Sequence, residues 1–290
     1  MTAAQPRILV IGATGLLGAP VVRHLLQAGW AVRALVRRPE SARQRLDAAV
    51  EVIQGDVTDE ASVARALQGC QAVHISLQGS NRAEFEQVEH RGTATVARLA
   101  AAQGVARLTH LSGALVSART THVPQERAKW EAETAIERSG VPYTIFKPTF
   151  FMESLPLNIQ GTRATVMGPS TRKFRFVAAN DYAALVVKAL QTPATINQRL
   201  EVYGPQALTL REATAQVARA LNPAIQISQT PFLMMKILNR LFMSGKLTHI
   251  IELMALTEAM GETGNPELTT RLLGTPSTTL DQWCAALPRA

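Results

Sequence analysis

Residues 7–18 read RILVIGATGLLG, and this stretch decides the fold. Its first part, residues 8–11, is a continuous apolar run of branched residues, which is typical of a strand buried on both faces. Three glycines follow at positions 12, 15 and 18, and apolar residues then recur at helical spacing as far as Gly29. A strand, a glycine turn and a helix in this order predict the phosphate-binding unit of a dinucleotide-binding fold.

Each glycine of this turn has a physical role in that interpretation. Gly12 permits the sharp turn, Gly15 lets the backbone approach a pyrophosphate, and Gly18 lets the helix pack closely on the strand. The free N–H groups and the positive end of the helix dipole would hold the phosphate charge. An ordinary tight turn would use the same glycines, so the interpretation depends on the flanking strand and helix.

Beyond the turn, strands and helices alternate through the first half of the chain. Apolar runs predict strands near residues 7–11, 31–36, 50–54, 72–77, 106–112 and 142–147. Helical spacing predicts helices near residues 16–28, 41–47, 60–67, 83–102 and 126–138. This alternation favours an α/β fold of Rossmann type, a doubly wound parallel sheet that binds its ligand at the carboxyl ends of the strands.

The alternation stops after Pro148. Residues 164–177 predict a hairpin, and residues 200–203 predict a last strand of the main sheet. We therefore expect two parts, an NAD(P)-binding Rossmann domain and a smaller, mainly helical C-terminal lobe that closes one side of the cleft. The domain comprises residues 1–150 with 176–203 returning to it, and the lobe comprises residues 151–175 and 204–290.

Composition and charge limit the classes of function. The 290 residues, 47% of them apolar, suffice for one dinucleotide domain with a modest second lobe. The two cysteines form no C-x-x-C pair, and neither a secretory leader pattern nor a membrane-spanning run is found, so we expect a cytoplasmic protein. The net charge of +8 forms no basic tail, which argues against nucleic-acid binding and favours anionic small molecules, with weak membrane-surface attraction as a further option.

Two arginines follow the second predicted strand, about 20 residues past the glycine turn. A cofactor that lacks the 2′-phosphate is usually held there by Asp or Glu, but this chain has Arg37 and Arg38. Two guanidinium groups suit a phosphate and leave a ribose hydroxyl without its usual acceptor. The pair predicts NADP, with NAD as the alternative, although a solvated basic corner would have the same sequence.

Several segments resemble the NmrA-like branch of the atypical short-chain dehydrogenase/reductases. The spacing G-x-x-G-x-x-G resembles the variant of the extended and atypical members of that superfamily. Other matching segments cover nearly the whole chain, namely residues 92–96, 104–105, 107–113, 128–129 with Glu133, 140–148, 151–153, 180–183 and 273–283. The resemblance implies an NADP-binding α/β protein.

The resemblance also implies which residues contact the cofactor. It places Asp56 and Val57 beside the adenine, although a turn that starts the next helix would use the same residues. It places the residues after the sixth strand against the nicotinamide and the substrate. The expected cofactor contacts are Gly12, Thr14, Gly15, Leu16, Leu17, Gly18, Arg37, Arg38, Asp56, Val57, Ser76, Gln78, Lys129, Pro148 and Phe151.

The resemblance places the catalytic serine at Ser112 and the catalytic lysine at Lys129. Typical members of the wider superfamily have a tyrosine four residues before this lysine, and it exchanges a proton with the substrate. Gln125 takes that position here, and an amide cannot donate a proton in this way. Lys129 is expected to bond the nicotinamide ribose and is a candidate proton donor. A solvated lysine paired with Glu133 at i+4 is the alternative.

Two hypotheses about function follow, and whether the chain turns over a substrate stays open. The first is an NADPH-dependent oxidoreductase that reduces a small apolar quinone or enone-like acceptor, because such acceptors need no strong protein acid. The second is a non-catalytic NADP(H)-sensing regulatory protein of NmrA type, which Gln125 favours.

The six histidines show no metal-ligand spacing, so no metal is expected. The oligomeric state is left open.

Residues 231–256 are rich in methionine and leucine and carry Lys236, Arg240 and Lys246. Most such stripes are buried core. Lining a substrate cleft or touching a membrane surface is the alternative.

Overall fold

The structure, a computed structural model, describes residues 5–287, so the ends of the predicted domain and lobe, residues 1–4 and 288–290, lie outside it. The strands are β1 (Arg7–Ile11), β2 (Ala31–Val36), β3 (Glu51–Gln54), β4 (Ala72–Ile75), β5 (Arg107–Leu111), β6 (Tyr143–Pro148), β7 (Ile159–Gln160), β8 (Arg163–Met167), β9 (Lys173–Arg175), β10 (Gln198–Val202), β11 (Ala207–Thr209) and β12 (Gln226–Thr230). The helices are α1 (Gly18–Gln27), α2 (Pro39–Arg43), α3 (Glu60–Leu67), α4 (Arg82–Glu84), α5 (Thr93–Ala102), α6 (Pro124–Ser139), α7 (Ala179–Gln191), α8 (Leu210–Leu221), α9 (Phe232–Phe242), α10 (Thr248–Met260), α11 (Glu267–Leu273) and α12 (Leu280–Ala285).

Seven strands form the main sheet in the order β3-β2-β1-β4-β5-β6-β10. Every neighbouring pair is parallel, and β1 lies between β2 and β4. The predicted Rossmann-type, doubly wound sheet is therefore confirmed, as is its last strand. The strand order reverses beside β1, and this switch point opens a crevice at the carboxyl ends of the strands.

Strand β1 explains why the sheet needs a helical layer on each face. Ile8 and Val10 point into one hydrophobic cluster, which contains α1 and α7 side chains. Leu9 and Ile11 point into the opposite cluster, with α3 and α5 side chains. Successive side chains of a strand alternate between faces, so an unbroken apolar run requires apolar cover on both sides. Burying each of these side chains contributes about 1.5–3 kcal/mol.

The predicted helix at residues 83–102 is one continuous helical segment with an irregular middle. A short α4 leads into a π-helical segment, Phe85–Gly92, which continues directly into α5. The wider π turn changes the angle between successive side chains, and π segments occur frequently at functional sites. Here it buries the carboxylate of Glu89 beneath the crevice.

The predicted hairpin at residues 164–177 is wrong. Strand β8 pairs with β7 and β12, whereas β9 pairs with β11 in a separate small sheet. The connection between β8 and β9 is held by neighbouring helices instead of closing a two-strand turn. Ser170 Oγ accepts a hydrogen bond from the backbone N–H of Arg211, and the backbone N–H of Thr171 donates to Glu258 on α10.

Two half-buried carboxylates attach the C-terminal segment to the first domain. Asp181 on α7 accepts hydrogen bonds from the backbone N–H groups of Ser277 and Thr278. Glu153 accepts from the N–H of Ala179 and from the Trp283 indole. Helix α11, which lies within the predicted lobe, packs on α7 and β10, so that part of the chain covers the main sheet.

Helix α9 departs from the expectation that an apolar stripe is core. Met235 is buried, but most large apolar side chains of α9 are exposed to solvent. The next helix behaves differently, because Leu253 and Thr257 of α10 line a cleft. Over residues 5–287, the helices are all too short or too polar to span a bilayer.

Candidate active site

Two cavities lie side by side along the carboxyl edge of the main sheet. The first, of about 480 Å³, is formed by the glycine turn and by the ends of β2, β3 and β4. The second, of about 170 Å³, is formed by the ends of β5 and β6 and is closed by α10 from the lobe. Their positions match the rule that open α/β sheets bind ligands outside the carboxyl ends of the strands.

The glycine turn of the first cavity has no space for side chains. Gly12 has φ +86°, and a Cβ there would lie 2.0 Å from the carbonyl oxygen of Ser76. A Cβ on Gly18 would lie 2.1 Å from the carbonyl oxygen of Gly12. The glycine turn therefore approaches the end of β4, and the start of α1 approaches the glycine turn, through backbone atoms. Amide groups at the start of a helix have no acceptors within the helix and suit the pyrophosphate of a dinucleotide. Here the Ala19 N–H donates to the carbonyl oxygen of Gly15 and Pro20 has no N–H, so the remaining amides of the turn are the ones that can bind it.

A basic rim lies at the far end of the first cavity. The predicted pair, Arg37 and Arg38, lines it together with Arg45 and the hydroxyl-bearing Ser41. The sequence analysis missed Arg45 and Ser41. Both lie in the helix that the sequence predicts at residues 41–47, four residues apart, and this spacing is the signal that would have placed them on one side of the chain. Three guanidinium groups and a hydroxyl fit a phosphate monoester on a ribose.

The remaining walls of the first cavity contain several predicted contacts. Asp56, Val57, Ser76 and Gln78 all line it, as do Thr14 and Gly15. The Asp56 carboxylate also accepts hydrogen bonds from the backbone N–H and the hydroxyl of Thr58. The same aspartate therefore stabilises the turn before α3, which was the alternative interpretation of this segment, and also lines the cavity. Asp59, not Asp56, caps α3.

Other predicted cofactor residues lie elsewhere. Leu16 is exposed, and Leu17 packs on the core cluster beside α1. Phe151 is buried in the same core, in edge-to-face contact with Tyr182, and its neighbour Phe150 faces the second cavity instead. Lys129 and Pro148 line the second cavity.

The second cavity combines apolar walls with a few polar groups. Leu115, Pro148, Phe150, Phe174 and Leu253 provide the apolar surface. Gln125, Glu126 and Lys129, from the first turns of α6, and Glu262 provide the polar groups that line it. An apolar cavity with a few convergent polar groups is the usual form of a small-molecule site.

Lys129 is held by a carboxylate that the sequence analysis did not identify. Its Nζ lies 2.8 Å from Glu89 Oε2, and only 11% of the lysine side chain is exposed. The other Glu89 oxygen, Oε1, accepts a hydrogen bond of 2.7 Å from the backbone N–H of Gly79. Glu89 therefore connects the lysine of the second cavity to the β4 loop, which lines the first cavity at Gln78. Its location on a π segment removed any periodic signal from the sequence.

Glu126 is a second carboxyl group that the sequence analysis missed. It lines the second cavity, is 4% exposed, and its Oε2 has no hydrogen-bond partner among the described residues. Burial raises the pKa of this carboxyl from 4.5 to about 7, although the charge of Lys129 opposes the shift. It stands next to Gln125, the residue in the tyrosine position. A carboxyl with this pKa can carry a proton near neutral pH.

Ser112 has a structural partner instead of a place on the cavity wall. Its Oγ donates a hydrogen bond to Glu133 Oε1, and Ser112 is not one of the residues that line either cavity. The other Glu133 oxygen pairs with Arg199 at 2.9 Å. Glu133 is therefore fully engaged, and the alternative pairing of Lys129 with Glu133 is wrong.

The histidines contribute no group to either cavity wall. His74 and His110 lie in the core, where burial lowers the pKa of each ring to about 3. His90 is near Glu86 and Glu131, and one ligand atom of each lies within 4.8 Å of the others. Sequence spacing did not reveal this cluster, because Glu131 comes from α6. The separations of 3.1 and 3.4 Å are those of ordinary ion pairs.

Comparison with known proteins agrees with this arrangement. The model of the NmrA-like family matches residues 4–286. A (4-alkanoyl-5-oxo-2,5-dihydrofuran-3-yl)methyl phosphate reductase from Streptomyces griseus subsp. griseus is 35% identical over 225 residues, which are 77% of this chain and 76% of that protein. An NAD(P)H azoreductase from Xenophilus azovorans is 32% identical over 223 residues, which are 75% of this chain and 73% of that protein.

Solved structures show the same fold over almost the full length. An NADPH-dependent quinone oxidoreductase from Escherichia coli, in complex with NADPH, superposes with a TM-score of 0.77. The match covers 96% of this chain and 98% of that chain, at 22% sequence identity.

Proposed function

The chain belongs to the NmrA-like family, and on that premise we propose that it is an NADPH-dependent oxidoreductase that reduces small apolar acceptors, quinones or enones. The relatives at 35% and 32% identity are both named as reductases, and one is named for NAD(P)H. In this proposal residues 1–150 and 176–203 bind the cofactor, while residues 151–175 and 204–290 contribute the lobe side of the acceptor cleft.

The first cavity supports the choice of NADPH. Its glycine turn receives the pyrophosphate, and the basic rim of Arg37, Arg38 and Arg45 receives the 2′-phosphate. Bound there, NADPH supplies the hydride for the reduction. The residues of this chain have two remaining tasks, which are to position the acceptor and to provide a proton.

The second cavity supports the choice of acceptor. Apolar side chains form most of its wall, and a volume near 170 Å³ is the size of one ring. For comparison, an apolar cavity of about 150 Å³ holds benzene. A flat, uncharged ring with a carbonyl oxygen fits such walls and places its oxygen toward the polar groups of α6.

Glu126 and Lys129 support the delivery of the proton. A quinone or enone that accepts a hydride becomes an oxyanion or enolate and must then take one proton. Protonated Glu126 can donate that proton, and the cationic Nζ of Lys129 stabilises the negative oxygen before transfer. The observation that carries the proposal is this buried carboxyl beside a buried lysine, both facing an apolar cavity next to the dinucleotide cavity.

The proposal is tested by the oxidation of NADPH against a panel of quinones and enones. We expect turnover with at least one member of the panel, and a lower rate with NADH at equal concentration. An aliphatic ketone of similar size serves as a control, because it needs a stronger acid and should react far more slowly. Tight NADPH binding without turnover on any acceptor would contradict the proposal.

Gln125 favours a second candidate function. Its amide occupies the position of the usual proton-donating tyrosine, and a protein that only senses NADP(H) has no need of that tyrosine. Such a sensor would bind NADPH and NADP⁺ with different affinities and would regulate a partner. The two functions are separated by the same panel, since the sensor gives a binding isotherm and no oxidation.

A further inference from the structure

Helix α9 presents an apolar face to solvent. Leu233, Met234, Ile237, Leu238 and Leu241 are all between 38% and 72% exposed. Phe242, at the end of the helix, is 77% exposed. Contiguous apolar surface of this kind marks an interaction site, whereas single exposed apolar residues are ordinary.

The helical geometry shows that this face lies opposite the attachment of α9. The buried residues Met235 and Asn239 are four apart and lie on the inner side. With successive residues about 100° apart, Ile237 and Leu241 point almost directly away from that side. The exposed residues cover an arc about 140° wide, so α9 has an apolar outer face in addition to its buried one.

The charged residues of the segment that carries this face have one sign. Residues 213–251 contain no Asp or Glu, while they contain Arg219, Lys236, Arg240 and Lys246. Lys236 and Arg240 are exposed, four residues apart, and border one side of the apolar face. Lys246 is exposed in the loop that follows. An apolar strip bordered by cations is the pattern of a helix that lies in the plane of an anionic membrane.

We propose that α9 docks on the surface of a bilayer rich in anionic lipids. The apolar outer face enters the boundary between headgroups and acyl chains, and Lys236, Arg240 and Lys246 contact the lipid phosphates. A second copy of this chain is a poorer occupant, because a two-fold contact through α9 would bring Lys236 and Arg240 of both copies together, and residues 213–251 contain no acid to pair with them. The docking is independent of the reduction.

If the proposed function holds, docking through α9 also determines where the acceptor cavity lies relative to the bilayer. Helix α10 follows α9 after a short loop, and its Leu253 and Thr257 line the second cavity. Docking through α9 would hold the acceptor cavity close to the bilayer surface, where apolar acceptors accumulate.

The test is flotation of the full chain with vesicles. One set contains phosphatidylcholine alone and the other contains 30% phosphatidylglycerol, each at low and at physiological salt. We expect at least about ten-fold more protein on the anionic vesicles, and a clear decrease at higher salt. Equal binding to both vesicles, or binding to neither, would overturn the proposal.

Matched variants locate the contact. Leu241→Ser should reduce flotation several-fold, while Leu157→Ser, at 72% exposure in the segment before β7, should leave it unchanged. Lys236→Gln with Arg240→Gln should remove most of the preference for anionic vesicles, whereas the exposed Arg138→Gln should not. NADPH affinity and the melting temperature report whether each variant is folded. If light scattering shows a dimer that Leu241→Ser dissociates, a second copy covers the face and the proposal fails.

Discussion

The two cavities at the carboxyl edge are built by opposite means. The first uses backbone amides and exposed guanidinium groups, and most of its residues follow one another in short segments. The second uses buried ionisable groups from the π segment and from α6, where Lys129 pairs with Glu89, 40 residues earlier in the chain, and Glu126 is buried without a partner for its Oε2 among the described residues. A fixed phosphate charge can be bound by solvated cations, whereas a carboxyl can serve as an acid near neutral pH only when its pKa is raised, and burial raises the pKa of Glu126.

The largest expected effect is on the first cavity, from Gly12→Ala. The new Cβ would meet the carbonyl oxygen of Ser76 at 2.0 Å, in a backbone conformation with φ +86°. The β4 loop must move, so we expect NADPH affinity to fall by more than about 100-fold, as misplaced binding groups do. Calorimetric titration measures the change.

The control for Gly12→Ala is Gly104→Ala. Gly104 also has positive φ, at +71°, but a Cβ there meets nothing within 4 Å. The Gly104→Ala variant therefore has the strain of a non-glycine residue in the left-handed region, about 1–2 kcal/mol, but no steric clash of the new Cβ. Loss of NADPH affinity in both variants would mean that general destabilisation, and not the glycine cradle, explains the result.

The second cavity should respond most strongly to Glu126→Gln. The amide keeps the shape of the side chain but cannot deliver a proton, so we expect kcat to fall by about 100-fold or more. In the unmodified protein, kcat should decrease as the pH rises through about 7, because only the protonated carboxyl acts as an acid. Pre-steady-state rates from pH 5 to 9 test both statements. A Glu126→Gln variant that keeps the high-pH decrease would assign it to another group.

These two responses show what sequence can and cannot predict. The glycine turn, the Arg37–Arg38 pair and the alternation of strands and helices are set by contiguous residues, so the sequence predicted them. Glu126 and Glu89 are ordinary carboxylates in sequence, and only tertiary burial separates them from solvated helix residues. The false hairpin has the same cause, since contacts to Glu258 and Arg211 redirected the chain after β8.

The same Glu126 variant should be more stable than the unmodified protein at alkaline pH. Burial raises the folded-state pKa from 4.5 to about 7, so between those values the native state holds a proton that the unfolded chain has released. The contribution of Glu126 to stability is therefore greatest below about pH 4.5 and declines until the pH passes about 7. A shift of this size corresponds to about 3 kcal/mol.

Urea unfolding at pH 5 and at pH 8 measures this linkage. We expect Glu126→Gln to unfold at higher urea than the unmodified protein at pH 8, with little difference at pH 5. Glu153→Gln would be a poor control, because Glu153 holds the N-terminus of α7. The exposed Glu60→Gln is better, because this variant keeps Glu126 and should show the same change in stability between pH 5 and pH 8 as the unmodified protein.

A smaller effect is expected from removing the basic rim. Arg37→Ala combined with Arg38→Ala should reduce NADPH affinity by about 10–100-fold, as charged hydrogen bonds worth about 1.5–3 kcal/mol would require. NADH affinity should stay nearly constant, because the glycine turn is intact. Arg45→Ala alone should cost less, and Arg138→Ala serves as the distant control. Equal losses for the two cofactors would show that the arginines do not contact the 2′-phosphate.

The smallest effect on catalysis is expected from Ser112→Ala. The Ser112 hydroxyl binds Glu133 in the core, so we expect kcat to change by less than about threefold while stability falls by about 1.5–3 kcal/mol. Thermal unfolding and steady-state rates on the same preparation separate the two. A large loss of kcat with unchanged stability would return Ser112 to the catalytic role that the sequence predicted.

The proposed reaction consists of hydride transfer from NADPH in the first cavity to an acceptor in the second, followed by proton transfer from the protein. A single-turnover experiment tests this hydride transfer directly. It uses the most reactive enone of the panel and NADPH that carries deuterium at C4, first on one face of the nicotinamide ring and then on the other. We predict one deuterium at the β-carbon of the product for each NADPH consumed, from one face only, at a rate that falls in Glu126→Gln. Deuterium that stays on tightly bound NADPH, or is delivered equally from both faces, would contradict the account.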